Sequence, residues 1–382
     1  MDFELNEEQR AFRDSVRSYA RSQLAPTYLP RSKSTSFPWD EHRRVGELGV
    51  LGMLSGPAWS GVESDYLSAG VAIEELAYAD FNVANCAIPV LITTSIISQH
   101  AARSIQERWL PPLISGETLV ALGLTEPDVG SDAASLRTIA RPTGDGWKIT
   151  GEKTSITAIP HAEAAIVFAR IADQRGVSAF FVDLAAPGVE LSVIPDSGWL
   201  PVGRGSISLT DVDVPKEALI GSEGAAFHTV MNNFDFTRPL LALTGIGTAQ
   251  ACLDETAAYV RERHAFGAPL AKFEGISFPL AEHATYLEAA RLLCYKALSA
   301  RDAGRPHTVE AAMSKWLGPF SATRAVHDCL LMHGHYGYST ESPFEQRLRD
   351  VMAVELADGT AQVQKIIIAR ELYGREFVPY SR

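Results

Sequence analysis

Cysteine is scarce in this chain. Its four residues, Cys86, Cys252, Cys294 and Cys329, lie far apart with no CxxC pair among them. That pattern argues against a disulfide scaffold, which 382 residues able to bury their own core do not need. The four thiols are expected to be buried small apolar residues. Basic charge is also short, with 34 Lys plus Arg against 46 Asp plus Glu and a formal charge of −12. No cationic stripe is available to bind nucleic acid irrespective of sequence. A basic pocket for a phosphorylated small molecule stays compatible with this balance. The most apolar stretch, residues 86–97, is broken by Pro89 and is too short to cross a bilayer. The opening, MDFELNEEQRAFRDS, is charged at once and lacks the apolar segment and cleavage site of a secretory signal. A soluble cytosolic protein without a membrane anchor is the expectation.

Several motifs are missing as well. No GxGxxG occurs, since Gly245-Ile-Gly247 continues into Thr-Ala-Gln within a helical run, so a Rossmann cofactor site is unsupported. GxxxxGK[ST] and GxSxG are absent, leaving P-loop and nucleophile-elbow chemistry without a signature. His333-Gly-His335 has no third ligand at metal-site spacing, which favours a structural or cofactor-contact role. There is no internal repeat and no low-complexity tract.

What is present falls into three textures, in line with the two to three domains that this length suggests. Residues 1–118 read as helical. Asn6 followed by Gln9 forms a plausible capping box, and Phe12, Val16 and Tyr19 recur at helical spacing. Gly and Pro clusters near residues 26–30, 56–61 and 111–112 are expected to break these helices. Residues 119–226 carry short β-branched and aromatic runs, WKITG, AAIVFARIA, VSAFFVDLA, VELSVIP and ISLTDVDVP, parted by turn residues. Such runs without helices between them predict antiparallel β structure. Residues 227–382 return to helical texture, with two long Ala/Leu-rich segments, a third helix from Thr308 and a fourth from near Asp358 to Tyr373. Four helices predict an antiparallel bundle.

Five segments, taken in order, resemble the acyl-CoA dehydrogenase family: LGLTEPDVGSD (122–132), GEKTSIT (151–157), FDFTRP (234–239), RHAFGAPLAKFEGISFPLAE (263–282) and HGHYGYSTESPFEQRLRD…ELADGTAQVQKIIIAREL (333–372). The first helix, LNEEQRAFRDSVRSYA, matches too. The resemblance implies an α+β multidomain fold: a helical N-terminal domain, an antiparallel β-barrel-like middle domain and a C-terminal four-helix bundle. It also implies FAD between the last two, a homodimer or homotetramer, and an electron-transfer flavoprotein as possible acceptor. The implied reaction removes a proton from Cα and a hydride from Cβ of an acyl thioester. That requires a carboxylate base, hydrogen-bond donors on the thioester carbonyl and flavin N5 beside Cβ.

The family's Glu base aligns with Asp358, a side chain one carbon shorter with ~1.5 Å less reach. Asp358 can equally cap the last helix, and the two roles are compatible. The alternative family base position is Thr237, which cannot serve, and Glu355 offers a conceivable substitute. By resemblance, Leu122, Thr125, Gly130, Ser131, Ser155, Ile156, Thr157, Arg263, Phe266, Glu274, Gly334, Thr360 and Gln362 contact the cofactor, with Arg263 reaching FAD pyrophosphate across a subunit interface. Asp235 and Arg238 contact the CoA or carrier arm, joined on the substrate side by Ser131 and Gly359. The chain departs from the family at Ser155, usually Trp, at Glu274, usually Gln, at Leu331 and His335 near the adenine, and at the small Ala357 before the base. A phosphopantetheine arm belongs to both CoA and acyl-carrier protein, so either can carry the acyl group. Ala357 and the short base hint at a branched or functionalised acyl chain. Asp358 and Ser155 also fit a second reading, an oxidase of the nitroalkane-oxidase type with an Asp base and oxygen as acceptor.

Overall fold

A computed structural model describes residues 4–60 and 64–379. The first three residues of the opening segment, and Gly61 of the 56–61 turn cluster, lie outside it. The chain begins with helices α1 (Glu7–Tyr19), α2 (Tyr28–Ser32), α3 (Trp39–Glu47), α4 (Pro57–Ser60), α5 (Tyr66–Ala79), α6 (Phe81–His100) and α7 (Arg103–Ser115). The capping box forms: Asn6 Oδ1 accepts from the Gln9 N–H at 2.8 Å, and Gln9 Oε1 from the Asn6 N–H at 3.0 Å. Pro111 and Pro112, expected as a break, instead sit inside α7. Trp109, Leu110 and Leu113 around them are buried, and that packing holds the turn which the prolines weaken. The apolar run 86–97 is part of the 20-residue α6, which by length and composition could cross a membrane. Its surface is almost wholly covered by the rest of the protein, as in a core helix.

Eight strands follow: β1 (Val120–Gly123), β2 (Ile139–Pro142), β3 (Gly146–Thr157), β4 (Ala164–Ile171), β5 (Ser178–Asp183), β6 (Val189–Ile194), β7 (Arg204–Pro215) and β8 (Leu219–Ile220). They form one sheet in the order β6-β7-β3-β2-β4-β5-β8, with β1 also on β4. Most pairs are antiparallel, but β1 and β2 both run parallel to β4, so the sheet is mixed. Side-chain alternation is the same for either strand direction, which is why the runs alone gave the wrong expectation here. The consequence is functional. Val120 to Gly123 pair with residues 164–167 and Ile139 to Ala140 with residues 170–171, along one edge of β4. Residues 124–138, which carry the TEPDVGSD motif, are therefore an excursion out of a single sheet edge.

The C-terminal part comprises α8 (Ala226–Glu262), the hairpin β9 (His264–Ala265) and β10 (Ala268–Pro269), α9 (Glu274–Asp302), α10 (Thr308–Met332), α11 (His335–Tyr338), α12 (Phe344–Val354) and α13 (Ala361–Tyr373). The short α11 and the 11-residue α12 were not expected from the sequence. One continuous apolar core joins the N-terminal helices, the bundle and one face of the sheet, while Trp147, Ile149, Val167, Phe180, Ile207 and Val212 belong to a second core within the sheet. All four cysteines are buried and unpaired.

Asp350 on α12 ties the three parts together. Its carboxylate accepts from the Trp199 N–H at 2.8 Å, Asn82 Nδ2 at 3.1 Å, Gln346 Nε2 at 3.1 Å and the Tyr28 hydroxyl at 3.3 Å. Its carbonyl accepts from Trp199 Nε1 at 2.8 Å. Trp199 is held at φ 59, a left-handed conformation costly for a bulky residue. A Cβ at Gly198 would stand 2.7 Å from the Arg349 carbonyl oxygen, so only glycine permits this close approach. Burial pushes the Asp350 carboxyl up to about 6, against the hydrogen bonds that favour its anion. Replacing Asp350 with Ala strands these donors and is expected to cost about 3 kcal/mol in chemical denaturation. The folded state gains a proton here that the unfolded chain binds only near 3.8, so this contribution is full at low pH and lost as pH rises through about 6. Lowering pH from about 7 to about 5 should therefore shift the Tm difference from Asp350→Asn in favour of the wild type.

Candidate active site

The loop between α12 and α13 turns on two consecutive left-handed residues, Asp358 at φ 50 and Gly359 at φ 94. Asp tolerates this conformation better than most side chains. At 359 a Cβ would lie 2.6 Å from Gln364 Nε2, so glycine is required there. Buried Gln364 donates from Nε2 to the carbonyls of Asp358 and Gly359, each at 3.0 Å. Thr360, not Asp358, is the N-cap of α13, its hydroxyl facing the Val363 N–H. The capping alternative for Asp358 is therefore overturned: its carboxylate points to α8, where Oδ2 accepts from the Thr237 hydroxyl at 2.8 Å. Oδ1 and the Asp358 N–H make no hydrogen bond among the described residues. The half-buried carboxyl thus keeps one oxygen for a proton, with a backbone donor at the same residue.

On α8 the neighbours are Asp235 and Arg238. Arg238 Nη1 donates to Asp235 Oδ1 at 2.7 Å, and Asp235 Oδ2 accepts from the Thr308 hydroxyl at 2.6 Å. Burial lowers the Arg238 pKa, while Asp235 and Asp358 favour its charged form. Among the described residues Arg238 Nε is buried without a hydrogen-bond partner, and the Asp358 charge acts on the same guanidinium.

The middle-domain residues assemble around a buried ion pair. Lys153, 0 % exposed, donates to Glu126 Oε1 at 2.8 Å and to the Leu124 carbonyl at 3.1 Å. Glu126 also accepts from the Thr138 N–H and hydroxyl and the Arg137 N–H at 2.6–2.8 Å. Burial opposes the Glu126 charge, but these bonds and Lys153 hold its pKa below the usual carboxylate range. Burial brings Lys153 down to about 8 despite Glu126. Thr154 N–H donates to the Thr125 carbonyl at 2.9 Å, fastening the excursion to β3. Ser155 sits exposed at φ 57 where β3 bulges against β7, and its hydroxyl accepts from Arg204 Nη1 at 3.3 Å. Ile156 is buried, whereas Thr157 and Leu122 are half-buried and Gly130 and Ser131 exposed. A Cβ at Gly130 would meet nothing within 4 Å, so the excursion presents an open face.

The third group lies elsewhere. Thr237 and Arg263 are separated by almost all of the remaining length of α8, 25 residues from Thr237 to Glu262, or ~37 Å. Arg263 is exposed and makes no side-chain hydrogen bond or ion pair among the described residues. Phe266, 99 % exposed at φ 50, and Gly267 at φ 82 form the tip of the β9–β10 hairpin, with exposed Glu274 opening α9. Gly334 follows His333, whose ring stacks on Tyr259 and packs on Phe344, each with centroids 4.1 Å apart. His333 Nε2 meets the Thr256 hydroxyl at 3.3 Å, so the ring is built into the bundle. Among the described residues, no group of three His, Cys, Asp or Glu could hold a metal.

The expected residues thus come together as two clusters, one at Asp358 and one along β1 and β3, with Arg263, Phe266, Glu274 and Gly334 at the far end of the bundle. An uncovered guanidinium beside a bare aromatic ring suits an anionic, ring-bearing ligand such as FAD. The open glycine face at 130 and the polar Ser131 and Thr157 suit it too. Lys153, Lys315, Thr237 as a carboxylate partner, and Arg204 were missed from the sequence. The signal for Lys315 was a lone cation in a small-residue run, Ala311, Ala312, Ser314, Gly318 and Pro319, all buried.

Comparison with known proteins gives three family-model matches. They are the N-terminal domain of acyl-CoA dehydrogenase over residues 6–117, its middle domain over 121–212 and its C-terminal domain over 224–373. The chain is 34% identical to the mitochondrial short-chain specific acyl-CoA dehydrogenase of Rattus norvegicus, covering 97% of this chain and 91% of that one. Butyryl-CoA dehydrogenase from Megasphaera elsdenii superposes with TM-score 0.92 at 33% identity, covering 97% and 100% of the two chains. The prolyl acyl carrier protein oxidase AnaB also superposes at 0.92, with 25% identity and the same coverage.

Removing the cation of the Glu126–Lys153 pair leaves a buried carboxylate that keeps its Thr138 and Arg137 donors but has lost its counter-charge. Lys153→Met is expected to destabilise the protein by about 3–4 kcal/mol. Proteolysis should then appear first within residues 124–138, read by mass spectrometry of limited digests.

Proposed function

The chain belongs to the acyl-CoA dehydrogenase family, a group of FAD-dependent oxidoreductases acting on CH–CH bonds, and we propose that it desaturates an acyl thioester between Cα and Cβ as a soluble cytosolic enzyme. The observation that carries this reading is the Asp358 carboxylate, fixed through one oxygen by Thr237 and open at the other. Asp358 Oδ1 takes the α-proton. The Asp358 N–H is placed to donate to the thioester oxygen as negative charge develops there, an interaction worth more in the transition state than in the ground state. FAD, when bound, supplies the acceptor for the β-hydride. Residues 125–131 and Ser155 to Thr157 would hold its ring system, and Arg263 its pyrophosphate. Asp235 and Arg238 orient the pantetheine arm of CoA or of a carrier protein.

The spacing along α8 supports an oligomer. One FAD cannot meet both Arg263 and the Asp358 cluster of the same bundle across ~37 Å of helix, so a second copy completes each site. Asp358→Asn is expected to slow flavin bleaching by about 10²–10⁴-fold, and Arg263→Ala to weaken FAD retention. Co-expressed, the two variants should regain roughly a quarter of the active sites, because half of random pairs are mixed and each mixed pair holds one intact site. Absence of complementation would place both residues in one chain's site.

Anaerobic titration of the flavoprotein with acyl-CoA and acyl-carrier-protein thioesters tests the reading. Bleaching by a thioester supports it, and indifference to the whole panel overturns it. A branched or functionalised acyl group should outperform straight chains if the small Ala357 and short base set the substrate. A second reading, an oxidase, is favoured by exposed Ser155, whose short side chain leaves this edge of β3 open to solvent. Rapid reoxidation of the reduced protein in air identifies the oxidase; persistence until an electron-transfer flavoprotein is added identifies the dehydrogenase.

A further inference from the structure

Lys315 lies in the N-terminal third of α10 with 1 % of its surface exposed, in the most expensive kind of place for an ammonium. Its Nζ donates to the Val354 carbonyl at 2.6 Å and to the Gly359 carbonyl at 3.4 Å, the two ends of the loop that carries Asp358. Among the described residues no carboxylate pairs with it directly, in contrast to Lys153. Its charged neighbours are Asp358 and Glu355 on the loop and Arg238 on α8, beyond which stands Arg370 on α13. A neutral side chain would fill the space at less cost, and Gln364 already grips the same turn. What a neutral replacement would not supply is charge.

From this geometry we propose that Lys315 is a positioning residue: its ammonium clamps both ends of the base loop and balances the carboxylate of Asp358 when substrate displaces water from the site. The proposal rests on the reading of Asp358 as the base. The carboxylate is anionic before proton transfer, and in a dry cleft that anion needs a compensating cation. Arg238 is tied to Asp235, which leaves Lys315 as the cation committed to the loop itself.

The charge should be functional at a cost to the fold, and this separates the proposal from a merely structural role. Burial brings the Lys315 ammonium down to about 8, against the favourable effect of Asp358. Between that value and 10.5 the unfolded chain holds a proton that the folded chain has released, so the contribution of Lys315 to stability rises with pH. The rate of base-dependent flavin reduction should fall over the same range.

The test uses FAD-loaded wild type, Lys315→Met and Lys315→Arg with butyryl-CoA in anaerobic stopped flow. Wild type should show an alkaline limb near 8 in the bleaching rate. Lys315→Arg, charged throughout, should lose that limb, whereas Lys315→Met should be slower by about 100-fold with butyryl-CoA affinity changed less than about threefold. Lys153 is present in all three proteins, so a limb due to it would survive in the Arg variant. Survival of the limb in Lys315→Arg, or a wild-type rate in Lys315→Met, overturns the proposal. If Lys315→Met fails to fold, the Arg variant still decides. Amide hydrogen exchange of residues 354–360, read without substrate, should be about tenfold faster in Lys315→Met or, failing that, Lys315→Gln. Unchanged exchange refutes the clamp, and this arm stands even if no thioester bleaches the wild type.

Discussion

A site assembled from separate parts is only as accurate as the joint between them, and here the polar centre of that joint, set beside the shared apolar core, is a single buried carboxylate. Asp350 gathers donors from Tyr28 and Asn82 of the N-terminal helices, from Trp199 of the middle domain and from Gln346 of its own helix. Trp199 belongs to the segment that leads to Arg204, which in turn holds Ser155. Asp350 stands eight residues before Asp358, on the helix that delivers the base loop. One side chain therefore relates the face expected to receive the flavin to the carboxylate expected to take the proton. The left-handed Trp199 shows how strongly this arrangement is determined, since such a conformation persists only where its surroundings impose it.

Two buried lysines repeat the same device, one in the sheet and one in the bundle. Lys153 grips the Leu124 carbonyl and Glu126, fixing the root of the excursion from β4; Lys315 grips Val354 and Gly359, fixing the root of the base loop. Each loop leaves regular structure between two ordered elements. An ammonium can satisfy up to three carbonyl or carboxylate acceptors at once, which suits the closing of an irregular turn. The difference lies in the counter-charge. Lys153 has its own carboxylate and is electrically complete, whereas Lys315 leans on the anion of Asp358 across the loop.

Much of this was legible in the sequence because it depends on local pattern. The capping box at Asn6 and the helical and strand textures are short-range features that outlined the fold class, while the resemblance carried by the ordered motifs singled out Asp358 as the carboxylate to examine. The parallel pairing of β1 and β2 was not legible, since alternation does not encode strand direction. Neither was the continuity of α7 through Pro111 and Pro112, where burial of Trp109 and Leu113 overrides backbone preference. Thr237 illustrates the limit best. The sequence shows only that it cannot be a base, while the fold brings it 2.8 Å from Asp358 across 121 positions. Lys315 was hidden for the opposite reason, because a lysine in a helix is ordinarily a solvated one.

On the proposed reading, the two halves of the reaction are controlled from different domains. Proton removal would depend on the bundle, where Thr237, Gln364 and Lys315 all hydrogen-bond to one two-residue left-handed turn. The fate of the electrons would depend on the sheet, through the exposed Ser155 and the excursion that Lys153 anchors. A shorter acid on the first side need not disable the second, because a base loop set by backbone clamps can shift as a unit while Ser155 stays fixed by Arg204. That separation lets one fold keep the same proton chemistry while exchanging the electron acceptor. On that reading the side chain at 155, set on the sheet, would bear on the choice between dehydrogenase and oxidase separately from the shorter base at 358.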